Sequence, residues 1–357
     1  MNNVENKRME NAKAKIAYIS SNGVNAYSLS KACSSLGYKT YSLKDGLFLE
    51  KINLQEIHPS SVILITEEDS LIRIIQNNHN YIFFPNSIAE NMIDDKLTVS
   101  NFVKDIGLET IQVFQNQKDV KYPAILKSRY SWKNGHKLTR GYILNSSDEL
   151  ENKLMLIKSS GFSREDFFIQ EFISGPFVKN ISVCGYFDSN NPESSALAVV
   201  ERVLSKSVGL SCSSVVATVT DSHELIKKTK LILTKMNYQG PFEVEFMVTE
   251  FDVYFLELNP RFWLQNEIFL PWGNLLLKKY FKKEDQVLTA DFIIGKTVWI
   301  DGFWLVQNLI RFQFRSIVII AKYLFNDYKV VTSPGVLFSL NVLIRKKISS
   351  FHHRIFG

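Results

Sequence analysis

Several features that mark common functional classes are missing from this chain of 357 residues. It has three cysteines, Cys33, Cys184 and Cys212, without CxxC spacing, and its six histidines form no HExxH motif, so a zinc centre is not indicated. No secretory n-region and h-region open the sequence. These absences favour a reducing compartment, and we expect a cytoplasmic protein.

A long apolar run is also missing, and the charge is unevenly distributed. The longest apolar run of the tail, SIVIIA at 316–321, falls far short of the roughly 20 residues that a membrane-spanning helix needs. The formal net charge is +6, and eight basic against two acidic residues after position 299 account for all of that excess. We therefore expect a chain that does not cross a bilayer and that ends in a basic tail.

The first quarter of the chain alternates between strand-like and helical segments. The strands are predicted at 15–20, 39–43, 61–66 and 81–85. Such alternation predicts parallel βαβ units and a small doubly wound α/β domain at 13–95, after a disordered leader at 1–12. No GxGxxG motif follows the first strand, so a dinucleotide site there is not supported.

Beyond this domain, helices are separated by strands whose pattern is antiparallel. Helices are predicted from about Asp95, at 147–161 and at 222–237. The strands are predicted at 122–128, 166–173, 179–187, 195–204, 241–248 and 253–259, and a polar loop, 129–141, follows the first of them.

The last strand of this region carries polar side chains in an apolar context. The stretch VYFLELNPRFW at 253–263 begins as a buried strand, yet Glu257 and Asn259 interrupt it and Pro260 ends it. The short connection TEFD to the preceding strand predicts a hairpin.

The register of that hairpin decides which polar residues meet. If Val253 pairs with Thr249, then Glu245 lies opposite Glu257 and Glu243 lies opposite Asn259. The two-residue period of a strand then places all four side chains on one face.

Three carboxylates and one amide on one face require a compensating group, because like charges directly opposite each other destabilise a sheet. Hard divalent cations, above all Mg²⁺ with Mn²⁺ as a substitute, bind such oxygens. The other interpretation is the solvent-facing side of an edge hairpin, where glutamate is ordinary. Arg261, which follows the Pro260 break, favours the metal site because it can hold a phosphate or carboxylate group beside the patch.

Lys127 ends the apolar strand YPAIL, where a charge gains little without an anion to meet. The loop that follows offers Ser131 and Lys133 together with backbone donors, and such a loop can cover phosphates. The loop is polar rather than glycine-rich, which is not typical of phosphate-binding loops. The other interpretation of Lys127 is a solvated strand end.

The stretch FFIQEFISGP adds a strand that ends at a Gly-Pro break. A strand that ends beside a cleft exposes backbone groups that can read an adenine edge, while apolar neighbours enclose the ring. The residues in this position are Gln170, Glu171, Phe172 and Ile173. A plain core strand with a polar end is the alternative.

Taken together, Lys96, Lys127, QEFI and FEVEF…FLELNPRFW resemble the ATP-grasp enzymes. More closely, KSRYSWKNG with GPFEVEFMV and LELNPRFW resembles the predicted carboxylate–amine ligase branch of that superfamily, over roughly residues 13–284. The resemblance implies a doubly wound parallel α/β domain at 13–95 and a two-lobed ATP-grasp domain at 96–284. A basic, mostly helical C-terminal appendage is expected at 285–357.

The resemblance also implies roles for single residues. It assigns Mg²⁺ to Glu245, Glu257 and Asn259, the ATP phosphates to Lys96 and Lys127, and adenine to Glu171 with the backbone of Phe172 and Ile173. Arg261 would steady the transferred phosphate or an acyl phosphate. Arg202 falls where the family often has a basic residue near the triphosphate, and the stretch after it has one glycine, Gly209, where relatives often have more.

The implied reaction is ATP- and Mg²⁺-dependent joining of a carboxylate to an amine through an acyl phosphate, with release of ADP and phosphate. The loop 129–141 would act as a lid that excludes water. The alternatives are an ATP-binding regulatory or assembly subunit that has lost catalysis, and an enzyme of carboxylation or phosphotransfer. No biotin-carrier MKM or phosphohistidine motif supports the latter.

The expected partners are small amino-acid-like carboxylates and amines. In the tail, 303–325 and 344–356 combine apolar stripes with basic residues. They are interpreted either as helices packed on the core with a solvated basic face or as a peripheral contact with an anionic membrane surface or a membrane-bound partner. Nucleic acid is disfavoured, because the aromatic residues follow helix spacing rather than forming a stacking platform.

Overall fold

The structure is a computed structural model that describes most of the chain. The described residues are 15–20, 24–42, 61–76, 88–133, 136–139, 141–192, 195–205, 214–272, 274–281, 292–293, 295–311, 318, 321–323, 325–333, 335 and 339. The predicted leader at 1–12, the predicted strand at 81–85 and the tail segment 344–356 lie outside the described residues.

A small parallel sheet forms the N-terminal part of the fold. Strands β1 (Ile16–Ile19), β2 (Lys39–Ser42) and β3 (Val62–Leu64) pair in the order β2-β1-β3. Helix α1 (Val24–Ser35) follows β1, and helix α2 (Glu68–Gln76) follows β3. The two apolar strands β1 and β3 are almost wholly buried, which is typical of parallel sheets covered by helices and agrees with the predicted βαβ pattern.

A four-stranded antiparallel sheet forms the next lobe, with the order β4-β9-β5-β8. Helix α3 (Lys96–Asp105) precedes it, and the Asp95 carboxylate caps this helix by accepting hydrogen bonds from the amides of Leu97 and Thr98. The strands are β4 (Val113–Phe114), β5 (Ala124–Ser128), β8 (Gly141–Leu144) and β9 (Phe167–Glu171), with the hairpin of β6 (Trp132–Lys133) and β7 (His136–Lys137) between β5 and β8. Helix α4 (Ser147–Ser159) packs beside β8.

An eight-stranded sheet forms the largest layer, ordered β14-β13-β10-β11-β12-β16-β17, with β15 paired to β11. Its strands are β10 (Lys179–Asp188), β11 (Ala196–Ser205), β12 (Ser214–Thr220), β13 (Gln239–Val248), β14 (Val253–Asn259), β15 (Phe292–Ile293), β16 (Thr297–Asp301) and β17 (Lys329–Ser333). Helix α5 (His223–Lys235) packs against β10, β11 and β13. Helix α6 (Leu275–Tyr280) contacts β10 and β11.

The tail differs from the predicted helical appendage. Strand β16 pairs antiparallel with β12, β17 pairs parallel with β16, and all five residues of β16 are buried, so this part of the tail extends the large sheet. Helix α7 (Gly302–Ile310) lies between these strands. The short β-branched runs TVWID and KVVTS carry the strand signal, which the basic composition of the tail obscured.

In the described part of the chain, no helix is long and apolar enough to cross a membrane. Contact of the tail with a membrane surface stays a prediction, because most of the basic residues that motivate it lie outside the described residues.

The core explains how the three layers are held together. Side chains of the N-terminal sheet pack with those of the large sheet in two shared hydrophobic clusters, whereas the four-stranded sheet and α4 have a cluster of their own. The four-stranded lobe is therefore a separately packed layer, and the space between it and the large sheet is where the predicted site residues meet.

Candidate active site

A cavity of about 530 Å³ opens between the three sheets. Ile125 and Lys127 of β5 line it from the four-stranded sheet, Glu243 and Glu257 line it from the large sheet, and Thr66 lines it from the carboxyl end of β3. The volume lies in the range of small-molecule sites. Open α/β sheets bind ligands outside the carboxyl ends of their parallel strands, and this cavity has that position relative to the N-terminal sheet.

The predicted pairing of the acidic hairpin is confirmed where it concerns the polar residues. Glu243 pairs with Asn259 and Glu245 pairs with Glu257, and all four side chains line the cavity. The edge-hairpin interpretation is wrong for this face, since Glu243 and Asn259 are buried.

The predicted register is wrong near the turn, where Val253 pairs with Val248 and not with Thr249. A bulge at Leu256 supplies the extra residue that restores the predicted pairing at Glu257. The bulged residue has no partner in the ladder, and its carbonyl oxygen accepts a hydrogen bond from the Lys127 ammonium at 3.3 Å. The bulge thus brings Lys127 of the small sheet to the acidic hairpin of the large one.

Lys127 is buried against the carboxylate of Glu257, with 3.6 Å between Nζ and Oε2. Burial lowers the pKa of Lys127, and the neighbouring Lys96 lowers it further, while Glu257 acts in the opposite direction. A second anion would stabilise the charged form of this buried ammonium, and a phosphate in the cavity would supply one.

Arg202 is the main counter-charge of the carboxylates on β13. Its Nη2 lies 2.5 Å from Oε1 of Glu245 and 3.7 Å from Oε1 of Glu243, and the side chain is nearly buried. The prediction that Arg202 belongs to the site is therefore consistent with its position, because Arg202 lines the same cavity.

The amide of Asn259 bridges the two carboxylates on β13. Its Nδ2 donates to Oε2 of Glu243 and to Oε1 of Glu245, each at 3.2 Å, and its Oδ1 accepts from Arg261 at 3.3 Å. The donor set of Glu245, Glu257 and Asn259 suits Mg²⁺ chemically, since it offers only oxygen ligands. Coordination through Asn259 requires the amide to rotate so that Oδ1 faces the carboxylates.

Among the described residues, the hairpin included, no group of three or more histidine, cysteine, aspartate or glutamate side chains is arranged to hold a metal ion. The hairpin combines two carboxylates with an amide, and the third carboxylate, Glu243, is engaged by Arg202 and Asn259.

Lys96 lies at the first turn of α3 and reaches the same network. Its Nζ donates to Oδ1 of Asp94 at 3.3 Å and to Oγ of Ser131 at 3.0 Å, and it lies 4.0 Å from Oε1 of Glu257. Asp94 in turn accepts the backbone amides of Ser131 and Trp132, so it fixes the start of the predicted lid. Sequence reasoning missed Asp94, for which the only local signal is an acidic pair before a helix.

Arg261 follows the end of β14 and is held by the first residue of helix α2, in the N-terminal domain. Its Nε lies 2.5 Å from Oε1 of Glu68, and its Nη1 donates to the carbonyl of Phe262 at 3.1 Å. Sequence reasoning missed Glu68, because a contact across 193 residues leaves no local pattern.

Two predicted ligand residues have positions that differ from the expectation. Glu171 is exposed and does not line the cavity, whereas its neighbour Gln170 is buried and does, because successive residues of β9 point to opposite faces. Lys133 pairs with Asp166 and also does not line the cavity, whereas Ser131 and Trp132 do. Phe172 and Ile173 line it as well.

Glu243 lies close to the like charge of Glu245 in the hairpin. Its substitution tests whether the pKa of Glu243 is raised. Burial and the neighbouring Glu245 raise the pKa of Glu243 to about 7, while Arg202 and Arg261 oppose the shift. Between the lower pKa of Glu243 in the unfolded chain and about pH 7, Glu243 is protonated in the folded protein and ionised in the unfolded chain. The free energy of unfolding therefore falls as the pH rises through this range.

We expect Glu243→Gln to raise the melting temperature at pH 8 and to change it much less at pH 5. The gain at pH 8 is at most about 3 kcal/mol of unfolding free energy. Thermal melts of the ligand-free protein at both pH values measure it, with Glu250→Gln, an exposed acid in the turn of the same hairpin, as control. An equal change at both pH values would contradict the assignment of the raised pKa.

Comparisons with known proteins agree with this architecture. No protein-family model matches the chain, and no curated protein matches it. Among solved structures, N5-carboxyaminoimidazole synthetase from Staphylococcus aureus is 16% identical, with 84% of this chain and 86% of that enzyme covered and a TM-score of 0.58. Biotin carboxylase from Campylobacter jejuni, solved as a β,γ-ATP complex, is 16% identical, with 78% of this chain and 73% of that enzyme covered and a TM-score of 0.58.

A third similar structure is carboxyaminoimidazole ribonucleotide synthase from Aspergillus clavatus, solved with ATP. It is 11% identical, with 81% of this chain and 82% of that enzyme covered and a TM-score of 0.59. At these identities the comparisons concern the fold, and they show that the chain has the ATP-grasp fold. That part of the resemblance in sequence is confirmed.

Proposed function

We propose that the protein is an ATP- and Mg²⁺-dependent ligase that joins a carboxylate to an amine and releases ADP and phosphate. The observation that carries this proposal is the pairing of opposite charges inside one cavity of the ATP-grasp fold. Four cations line it, namely Lys96, Lys127, Arg202 and Arg261, together with the oxygen donors of the acidic hairpin. Such a set fits a polyphosphate with its divalent cation.

In the proposed complex, Glu245, Glu257 and Asn259 hold Mg²⁺, which supplies neutralisation of the charge that develops on the phosphates. Lys127 and Lys96 exchange part of their contact with Glu257 for phosphate oxygens. Arg202 stays between Glu243 and Glu245, where it lowers the repulsion between these two carboxylates.

The residues of this chain then orient and shield the reacting groups. A carboxylate is a poor electrophile at neutral pH, so its oxygen attacks the γ-phosphorus and ADP leaves. The amine nitrogen next displaces phosphate from the activated carbonyl carbon and gives up a proton. Arg261 is placed to steady the transferred phosphoryl group, because it ends the acidic hairpin and lines the cavity.

The adenine end of the proposed site lies between β9 and β10. The buried Oε1 of Gln170 and Oδ1 of Asn180 find no hydrogen-bond partner among the described residues, and both side chains line the cavity next to Phe172 and Ile173. Buried acceptors without partners are costly, and a ligand with N–H donors such as an aminopurine would satisfy them. Gln170, one of the four residues predicted for this position, is therefore proposed for the role that the resemblance assigned to Glu171.

The lid function of 129–141 stays part of the proposal. Ser131, Trp132 and Leu138 of this segment line the cavity, and the backbone amides of the first two bind Asp94. A closed lid would keep water from an activated carboxylate.

The amine and the carboxylate can be found by measuring ADP release. Purified full-length protein with ATP and Mg²⁺ would be offered a matrix of amino acids and simple amines as one set and carboxylates as the other. We expect ADP formation that requires one member of each set and is stoichiometric with a new amide bond by mass spectrometry. Nucleotide binding without turnover across a broad matrix would instead favour the regulatory or assembly subunit.

Bicarbonate belongs in the carboxylate set, as a second candidate. The similar structures include enzymes named for carboxylation, among them the carboxyaminoimidazole synthetases and biotin carboxylase. The absence of an MKM motif speaks against a built-in biotin carrier only. If bicarbonate supports turnover, the product is a carbamate rather than an amide, and isotope transfer from labelled bicarbonate distinguishes the two.

A further inference from the structure

The turn after β14 and helix α6 are each tied to the β3 segment of the N-terminal domain by a hydrogen bond. The amide of Phe262 donates to the carbonyl of Ile65 at 2.9 Å, and the hydroxyl of Tyr280 donates to the carbonyl of Ile63 at 2.5 Å. Ile63 lies in β3, and Ile65 follows it, so the turn that carries Arg261 is fixed directly against the carboxyl end of this strand.

Glu68 completes the attachment through side chains. It is the first residue of α2, it is buried, and its Oε1 lies 2.5 Å from Nε of Arg261. The two residues are 193 positions apart, so this ion pair joins helix α2 of the N-terminal domain to the end of the acidic hairpin.

The contacts of the guanidinium group show what Glu68 does. Nε faces Glu68, one N–H of Nη1 goes to the carbonyl of Phe262, and one N–H of Nη2 goes to Oδ1 of Asn259. Each terminal nitrogen carries a second N–H beyond these bonds, and Arg261 lines the cavity. The group is held on its Nε side and keeps donors for an oxyanion.

Other carboxylates compete for the same cation. Glu243 and Glu257 also attract Arg261. Without Glu68, Arg261 would be drawn towards these carboxylates, and pairing with Glu257 would occupy oxygens that the proposed cation needs. A fixed orientation matters, because a misplacement of about 1 Å can cost on the order of 100-fold in rate.

We propose that Glu68 is a positioning residue: it holds Arg261 away from the carboxylates of the acidic hairpin and directs its terminal N–H groups at the transferred phosphoryl group. The inference rests on the proposed function and adds that the N-terminal domain, through helix α2, takes part in phosphoryl transfer. The competing explanation is an ion pair that only joins two layers of the fold.

A double-mutant cycle separates the two explanations. The variants are Glu68→Ala, Glu68→Gln, Arg261→Met and the double variant Glu68→Ala/Arg261→Met, with Asp69→Asn in the same turn of α2 as control. For each variant, kcat and KM for ATP, the melting temperature and the affinities for Mg-ADP and for the Mg-bound β,γ-imido analogue of ATP are measured.

We expect Glu68→Ala to lower kcat about 10- to 100-fold while KM for ATP changes less than about threefold. Its preference for the imido analogue over ADP should fall, whereas Asp69→Asn should match the wild type. In the Arg261→Met background, Glu68→Ala should lower kcat by less than about twofold, because Glu68 then has no arginine left to position. Glu68→Gln, which keeps an acceptor oxygen, should retain part of the activity.

An equal loss from Glu68→Ala in both backgrounds, or a lowered melting temperature with unchanged kcat, would overturn the positioning role and leave the ligase proposal intact. If the wild type neither binds nucleotide nor forms ADP, both proposals fall together.

Discussion

Glu257→Gln is expected to reduce ADP formation by at least about 100- to 1000-fold. The substitution removes one of two charged oxygen ligands from the proposed Mg²⁺ site and keeps the size of the side chain. A loss of about 3–4 kcal/mol of transition-state stabilisation corresponds to this factor. Raised Mg²⁺ should restore only part of the activity, and the affinity for Mg-ATP should fall more than the affinity for ATP alone.

The same substitution is expected to destabilise the ligand-free protein. From the sequence, Glu257 looks crowded by Glu245, and its neutralisation should leave stability level or raise it. In the structure, Lys127 and Lys96 lie 3.6 Å and 4.0 Å from its carboxylate, so a neutral glutamine at this position would leave the buried Lys127 without its closest counter-charge. We expect a loss of about 1–3 kcal/mol of unfolding free energy.

This loss should depend on pH in a defined direction. Burial already lowers the pKa of Lys127, and removal of the Glu257 charge takes away the interaction that opposes this shift. A lysine whose folded pKa is below its unfolded value makes the protein more stable as pH rises. The Glu257→Gln deficit should therefore be larger at pH 6 than at pH 9.

Thermal melts at both pH values and an ADP-release assay check the Glu257 predictions, with Glu250→Gln as the matched exposed control. Turnover within about threefold of the wild type would remove Glu257 from the metal site, since a lost charged ligand costs far more. A melting temperature that rises would show that crowding by Glu245, and not pairing with Lys127, dominates at this position.

The hairpin shows how far sequence reasoning reaches for this protein. The pairing of Glu245 with Glu257 is predicted from turn length and the two-residue period. The structure confirms the pairing, although it reaches it through a different register at the turn and the bulge at Leu256. The bulge at Leu256 carries no sequence signal, because the residue is an ordinary strand former. Without the bulge, nothing in the pattern predicts the hydrogen bond that brings Lys127 to this strand.

Gln170 and Glu171 illustrate a limit set by register. Gln170 pairs with Ile125, and Ile125 and Lys127 line the same cavity, so Gln170 lies on the cavity face and Glu171 on the other. Helix α4 lies between β5 and β9 in the sequence, so the pairing of these two strands cannot be predicted from either strand alone. The sequence motif predicts that this stretch lies at the site. Only the pairing of β5 with β9 shows which of its side chains faces the cavity.

Residues whose partners lie in another domain could not be predicted from the sequence for a related reason. Glu68 follows a short strand in a run of acids, and Asp94 precedes a helix, so each has a plain local explanation. Their contacts with Arg261 and with the amides of Ser131 and Trp132 exist only because three layers meet at one cavity. Burial of a charge is a property of the assembled fold.

Lys127→Met is expected to lower ADP formation about 100-fold, with most of the effect on the chemical step and on affinity for Mg-ATP. Methionine has a similar length and no charge, so it fills the space that the Lys127 stem occupies between the two sheets. The phosphate loses an ammonium that is already buried at the acidic hairpin and therefore needs little reorganisation.

Lys127→Met should not lower the stability of the ligand-free protein, in contrast to Glu257→Gln. Burial is the largest influence on the pKa of Lys127 and opposes its charge, whereas Glu257 keeps Lys96 at 4.0 Å and is partly exposed. Removal of this ammonium takes away the cost of burying its charge, and Glu257 keeps Lys96 and contact with solvent as compensation. We expect the melting temperature of Lys127→Met to equal or exceed that of the wild type, with exposed Lys121→Met as control.

The two variants together test the charge arrangement independently of any substrate identity. Both should lose ADP formation, one with lower and one with equal or higher stability, because only Glu257→Gln leaves a buried cation uncompensated. If Lys127→Met instead unfolds at a markedly lower temperature, the ammonium stabilises the folded state through its bond to the Leu256 carbonyl, and Lys127 has a structural role that the phosphate site does not explain.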